Sequence, residues 1–222
     1  MINAVIDHSS RFGAARDQGR RPTCLAFAAS DGHADHRGSG STHLSADYLF
    51  YRGAQRQLPV RHDNGVQTDA IVSALSADGQ PVEQHYPYNS TLDAPSKLPE
   101  PVDPFPHPLY RVGWVYETFS EQSVLDILNR GQAVVLALKI TQSFFLLSID
   151  QPVLAWNPVN DAFAGVHAVV GVGHGKDKDG AIYLKIRNSW GDTWGSQGQA
   201  WIPIAYASKQ VLWMATFEDT TV

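Results

Sequence analysis

Cys24 is the one cysteine among the 222 residues of this chain, so it cannot form an internal disulfide. Its thiol therefore has either a packing role or a chemical one. A turn containing Gly19 and Pro22 precedes it, and the apolar run 25–29 that follows is typical of the start of a helix. A cysteine at a helix N-terminus faces unpaired N–H groups and the positive end of the helix dipole, which favour the thiolate. Taken alone, a lone cysteine is more often a small buried apolar residue, so the downstream residues decide the interpretation.

Two downstream residues could complete the chemistry of a thiol nucleophile, which needs an imidazole held in one tautomer. His167 lies near the start of a glycine-bounded, β-branched run that predicts a buried strand. Asn188 follows an alternating segment at 183–187, and the Asp-Gly turn at 179–180 predicts a hairpin that brings it beside His167. Trp190 would then cover the hydrogen bond between the imidazole and the amide.

These motifs resemble those of the papain family of cysteine peptidases. The matching segments are Gln18-Gly19, Cys24-Leu25-Ala26-Phe27, His167-Ala168, Asn188-Ser189-Trp190-Gly191 and Trp194-Gly195, with weaker matches at Leu44-Ser45, Asn64-Gly65 and Tyr86-Pro87-Tyr88. The resemblance extends from about residue 14 to about residue 203. The separation of Cys24 and His167 falls within the family's range of about 130–150 residues.

The resemblance implies a role for each matching residue. Cys24 would be the nucleophile, paired as a thiolate with the imidazolium of His167, and Asn188 would orient that imidazole. Gln18 would donate a side-chain N–H to the oxyanion beside the backbone N–H of Cys24, and losing one such donor typically costs about 10²–10³ in rate. By alignment alone, the residues expected to bind substrate are Gly65, Val66, Thr68, Ala168 and Trp190.

Several positions depart from the commonest form of the family's motif. Arg21 stands where many members have a disulfide-bonded cysteine, and Pro22 replaces a glycine. Leu25 replaces the aromatic residue after the nucleophile, and Val66 stands where a second glycine would follow Asn64-Gly65. The reacting groups are all retained, so these departures bear on substrate preference.

The chain is predicted to be one domain, 1–222, of the α+β class. Helical patterns predict a mainly helical lobe over about 14–94, and alternating patterns predict a mainly β lobe over about 109–217. A proline-rich crossover at 95–108 joins them. The resemblance implies a papain-like two-lobe fold, with an antiparallel, β-barrel-like C-terminal lobe and the active-site cleft between the lobes.

Composition and charge exclude several classes of protein. The chain is 43% hydrophobic and 18% charged, as is ordinary for a globular domain, and its net charge of −5 comes without a basic patch. We therefore expect no nucleic-acid partner and no membrane partner. No cofactor is expected, and metal binding by the histidine-rich stretch at 33–43 is disfavoured because no further ligand cluster accompanies it.

The cysteine count and the N-terminus bear on location. A single cysteine suits a reducing compartment, and the N-terminal residues lack the pattern of a secretory signal. We expect a cytoplasmic location, or delivery without a classical signal peptide. Because no pro-segment is evident before Gln18, either the chain is a mature fragment or its activity is restrained by location, substrate supply or a partner.

The predicted function is hydrolysis of peptide bonds through a thioester acyl-enzyme. A protein or peptide would be the substrate, and a protein inhibitor or activating partner could bind as well. Two alternatives remain open. One is another thiol acyl-transfer enzyme, such as a peptide ligase or a peptidase that removes a modifier protein. The other is a catalytically silent binding module that keeps the fold.

Overall fold

The structure is a computed structural model and describes residues 1–89 and 98–220. It belongs to the predicted α+β class, with a helical N-terminal part and an antiparallel sheet in the C-terminal part. The helices are α1 (Cys24–His36), α2 (Ala46–Ala54), α3 (Thr68–Ala77), α4 (Glu121–Asn129) and α5 (Ile204–Gln210). The strands are β1 (Asn3–Asp7), β2 (Gly113–Glu117), β3 (Val134–Thr141), β4 (Phe163–Lys176), β5 (Ile182–Arg187), β6 (Gln199–Pro203) and β7 (Val211–Glu218).

The sheet has the strand order β2-β7-β3-β4-β5-β6, and β1 pairs with β4 outside this path. All these pairings are antiparallel. The central strand β4 is buried continuously over 167–175 because apolar cores lie on both of its faces. Successive side chains of a strand point to opposite faces. Accordingly, Ala168 and Val170 belong to the core beneath the N-terminal helices, whereas Val169 belongs to the core beneath α4 and α5.

Helix α1 packs across the sheet against β4, β3 and β7. Its buried face begins with the alanines at 26, 28 and 29, whose small side chains allow a close approach. Gly32 is required farther along, since a Cβ there would lie 2.5 Å from Cε2 of Phe217 on β7. This packing holds the first turn of α1, and therefore Cys24, against β4.

A buried ion network ties α1 to the sheet. Asp31 of α1 accepts from Arg187 Nε of β5 at 2.8 Å and from Arg16 Nη2 at 2.6 Å. Arg16 also pairs with Glu83 at 2.5 Å. Burial alone would raise the pKa of Asp31, but the two guanidinium groups outweigh it and hold that pKa at about 2. Asp31 therefore stays ionised at neutral pH.

The sequence patterns do not predict two elements of the structure, β1 and α5. Strand β1 comes from the extreme N-terminus and pairs with β4, Asn3 opposite Lys176, although most of its residues are exposed. The short helix α5 also has no sequence signal of its own. The predicted crossover at 95–108 lies partly outside the described residues, and from 98 to 108 the chain forms neither helix nor strand. The lobe boundaries stay predictions.

Candidate active site

Cys24 is the first residue of α1, and its thiol is half-buried and unbonded to any other cysteine. The N-cap residue, Thr23, makes no side-chain capping bond, because its hydroxyl bonds the hydroxyl of Tyr88 at 2.8 Å. The N–H groups of the first turn are therefore left without a cap. Burial raises the pKa of the Cys24 thiol, and backbone N–H groups of Ala168, Leu25 and Cys24 itself oppose that rise.

His167 forms a buried hydrogen bond with Asn188. His167 Nε2 lies 2.6 Å from Asn188 Oδ1, which also accepts the N–H of Ser189 at 2.8 Å. Because an amide oxygen only accepts, His167 must carry its proton on Nε2, which leaves Nδ1 free to accept one. Burial lowers the pKa of His167 to about 4, against the opposing effect of the Asn188 hydrogen bond, so the neutral imidazole is favoured.

Helix α1, which begins with Cys24, packs against strand β4, which contains His167. Ala168 follows His167 on β4 and belongs to the core cluster against which Cys24 packs, and its backbone N–H acts to lower the pKa of the Cys24 thiol. Burial favours the neutral form of both the thiol and the imidazole, and their mutual attraction acts only when both are charged. The thiolate–imidazolium pair stays a prediction.

Aromatic rings cover the hydrogen bond between His167 and Asn188. The Trp190 ring lies 4.6 Å from that of His167, and Phe144 contacts both rings from the side of the core. Phe145 stacks on Trp190 at 5.0 Å and is 51% exposed. The sequence signal for Trp190 was its position after Asn188. Phe144 and Phe145 belong to none of the motifs, and their only sequence signal is an aromatic pair three residues after the end of β3.

Gln18 is held by Ser189, a residue of the Asn188–Gly191 motif to which the sequence assigns no role. The backbone N–H of Gln18 donates to the Ser189 carbonyl at 2.9 Å, and the Ser189 hydroxyl donates to Gln18 Oε1 at 2.7 Å. The side-chain nitrogen of Gln18 donates to the carbonyl of Arg21 at 2.8 Å. An amide nitrogen has two protons, so one remains for a further acceptor. Ser189 thus fixes the orientation of the Gln18 amide.

The loop that contains Gly65 faces the segment before Cys24. Gly65 is exposed, and a Cβ there would lie 3.9 Å from the carbonyl oxygen of Pro22. Its N–H donates to the side-chain oxygen of Asn64 at 2.9 Å. This placement is compatible with the predicted backbone contact to an extended peptide.

The other three predicted substrate-binding residues lie deeper. Val66 packs toward α2, where a Cβ on Gly53 would lie 2.9 Å from Val66 Cγ1. Thr68 is half-buried at the start of α3. Ala168 is 4% exposed within the apolar core, and its backbone N–H, rather than its side chain, reaches the site. The structure therefore brings the predicted catalytic residues together more clearly than the predicted substrate-binding ones.

Other parts of the described chain contribute little to this chemistry. Within residues 1–89 and 98–220 there is no group of three or more metal-ligating His, Cys, Asp or Glu side chains. His33, in the histidine-rich stretch, is fully buried and bonds Gln80 at 3.1 Å. No helix in the described part of the chain is both long enough and apolar enough to cross a membrane.

Comparison with known proteins agrees with this geometry. The model of the papain family of cysteine proteases matches residues 5–216, so the chain belongs to that family. Fruit bromelain from Ananas comosus is 25% identical over 133 residues, which cover 56% of this chain and 32% of bromelain. Cathepsin L from Sarcophaga peregrina is 53% identical over 32 residues, which are 14% of this chain and 9% of that protein. The aligned part of this chain thus spans less than two thirds of these relatives' own length.

Solved structures are similar over nearly the whole chain. Xylellain, a cysteine protease from Xylella fastidiosa, superposes with a TM-score of 0.77 at 22% identity, covering 100% of this chain and 88% of xylellain. Digestive procathepsin L 3 of Tenebrio molitor superposes with a TM-score of 0.66 at 21% identity, covering 98% of this chain and 70% of that one. At these identities the likeness shows the fold, which is papain-like.

Proposed function

We propose that this papain-family protein is an active cysteine peptidase that hydrolyses peptide bonds. The observation that carries the proposal is the buried hydrogen bond from His167 to Asn188. It holds the imidazole in the tautomer whose Nδ1 can take a proton, and the next residue, Ala168, lies in the core cluster against which Cys24 packs at the start of α1. Family membership supports the same conclusion.

In the first half of the reaction, the Cys24 thiol passes its proton to His167 Nδ1 and the sulfur attacks the peptide carbonyl carbon. The resulting oxyanion accepts hydrogen bonds from the Gln18 side chain and the Cys24 N–H, which are preorganised donors. The tetrahedral intermediate then collapses. His167 gives its proton to the leaving amine, and a thioester to Cys24 remains.

In the second half, His167 takes a proton from water as the water oxygen attacks the thioester carbon. The same donors hold the second oxyanion. When the carbon–sulfur bond breaks, the carboxylic acid leaves and the proton returns to the sulfur. Asn188 keeps the imidazole oriented through both halves, and the rings around Trp190 limit access of water to that hydrogen bond.

The substrate is proposed to be a protein or an extended peptide, bound along the Gly65 loop. The free thiol supports a reducing setting, either cytoplasmic or reached without a classical signal peptide. A protein inhibitor or activating partner could restrain or release the activity.

A mixture of synthetic peptides incubated in heavy-oxygen water tests the proposal. We expect the wild-type protein to release fragments whose new carboxyl group carries heavy oxygen, and Cys24→Ala to release none. Mass spectrometry reads both. Joined peptides without heavy oxygen would instead indicate a ligase, and no reaction by the wild type would indicate a silent binding module. Either outcome would contradict the proposed hydrolysis.

A further inference from the structure

The segment 18–24 carries both groups that would bind the oxyanion, the Gln18 side chain and the Cys24 N–H, and we call it the oxyanion loop. One hydroxyl bridges two points of this loop. Tyr88 donates to the carbonyl of Gln18 at 2.7 Å, and Thr23 lies 2.8 Å from the same Tyr88 oxygen. Burial raises the pKa of Tyr88 to about 12, so the phenol keeps its proton. Because that proton goes to Gln18, Thr23 must donate its own to Tyr88.

A buried ion pair holds the middle of the oxyanion loop. Arg21 makes two parallel hydrogen bonds to Asp47 on α2, Nη1 to Oδ2 at 3.0 Å and Nη2 to Oδ1 at 2.5 Å. The side chains are 0% and 4% exposed. The guanidinium lies 4.5 Å from the centre of the Tyr88 ring. A bidentate pair fixes geometry as well as charge, so it orients the loop relative to α2 and to Tyr88.

This support reaches the amide of Gln18 directly. The carbonyl of Arg21 accepts one proton of the Gln18 side chain, so the path of the loop at Arg21 sets where the second proton points. Arg21 occupies the position at which many family members have a disulfide-bonded cysteine. In this chain the same segment is fastened by Arg21, Asp47 and Tyr88 without a covalent bond, so a reducing environment does not loosen it.

We propose that Tyr88, together with the Arg21–Asp47 pair, positions the oxyanion donors Gln18 and the Cys24 N–H. The inference rests on the proposed function, because it assigns these residues to transition-state stabilisation in that reaction. Such a role acts on kcat more than on KM, since the donors strengthen their hydrogen bonds as the oxyanion forms.

Tyr88→Phe is the sharpest single test. It removes the hydroxyl and keeps the ring, including its contacts with Arg21 and with Phe27 at 4.6 Å. We expect kcat for peptide hydrolysis to fall about tenfold with little change in KM, less than for direct loss of a donor. The rate of Cys24 alkylation by iodoacetamide should stay at the wild-type value, because that reaction forms no oxyanion.

Tyr86→Phe is the matched control. The Tyr86 hydroxyl lies near the same Arg21–Asp47 pair but donates to the carbonyl of Pro99, and within the described residues it makes no hydrogen bond to the oxyanion loop. We expect its kcat to equal that of the wild type. An equal loss of kcat in both tyrosine variants, or a Tyr88→Phe variant with wild-type kcat, would overturn the positioning role.

A double-mutant cycle with Gln18→Ala shows whether Tyr88 acts through the oxyanion donors. If it does, Tyr88→Phe lowers kcat less in the Gln18→Ala background than in the wild type. The same fold-loss in both backgrounds would contradict the inference. A wild-type protein that hydrolyses no peptide would overturn the proposed function itself. If the wild type hydrolyses peptides and the Tyr88→Phe variant does so with an unchanged kcat, only the positioning role is overturned.

The ion pair is tested as a unit, because removing one member leaves a buried charge without its partner. The double variant Arg21→Met/Asp47→Leu replaces both with apolar side chains, a change that folded proteins often tolerate. We expect a lower kcat, an unchanged rate of alkylation at Cys24 and a cooperative unfolding transition. A wild-type kcat in this folded variant would show that the pair does not position the donors.

Discussion

Replacing His167 by alanine should lower kcat for peptide hydrolysis by about 10²–10⁴-fold, the usual contribution of a general acid–base group. The substitution removes the acceptor for the Cys24 proton and the donor for the leaving amine. It should also slow alkylation of Cys24 near neutral pH, because burial raises the pKa of the thiol when no imidazole assists it. Steady-state kinetics with a peptide cleaved by the wild type measure the loss.

His174→Ala is the matched control for that experiment. His174 lies on the same strand, is also buried, and its Nε2 lies 2.9 Å from the amide oxygen of Asn129. It therefore shares with His167 its strand, its burial and an amide hydrogen-bond partner. We expect its kcat to match that of the wild type. Equal losses in the two variants would mean that His167 acts through stability and not through chemistry.

Asp31→Asn should lower the free energy of unfolding by about 3–5 kcal/mol, as expected when one member of a buried ion network is removed. The change leaves Arg187 without its carboxylate and Arg16 with Glu83 alone. Urea unfolding at pH 7 measures the loss. Asp63→Asn, in an exposed pair with Arg61, should leave the unfolding midpoint unchanged. A similar midpoint shift for both variants would contradict the importance of the network.

The stability difference between the wild type and Asp31→Asn should depend on pH in a defined direction. The pKa of Asp31 is about 2 in the folded protein, below the ordinary value of 3.8. The unfolded chain therefore takes up a proton first as the pH falls. The contribution of Asp31 to the free energy of unfolding is fully present above pH 3.8 and is lost as the pH falls through about 2.

The sequence predicts the chemistry of the site because each signal is local. Cys24 follows a turn and begins an apolar helical run, and it is the first residue of α1. The Asp-Gly turn predicts the hairpin of β4 and β5, and that pairing brings Asn188 to His167. The predicted aromatic cover of this hydrogen bond by Trp190 has its counterpart in the ring contacts.

The remaining features depend on contacts between residues far apart in the chain. Ser189 holds Gln18 across 171 positions, and Arg21 pairs with Asp47 across 26. Hydrophobic periodicity carries no information about such polar partners. A sequence pattern also cannot tell whether Ala168 offers its side chain or its N–H, because that depends on which face of β4 meets α1.

The most direct test of an activated Cys24–His167 pair is labelling with an irreversible epoxysuccinyl peptide inhibitor, read by intact mass. It is applied to the wild type, His167→Ala and the control His174→Ala. We predict one adduct on Cys24 in the wild type and in the control, and none in His167→Ala over the same time. An unlabelled wild type, whose Cys24 reacts only with small alkylating agents at high pH, would contradict the account.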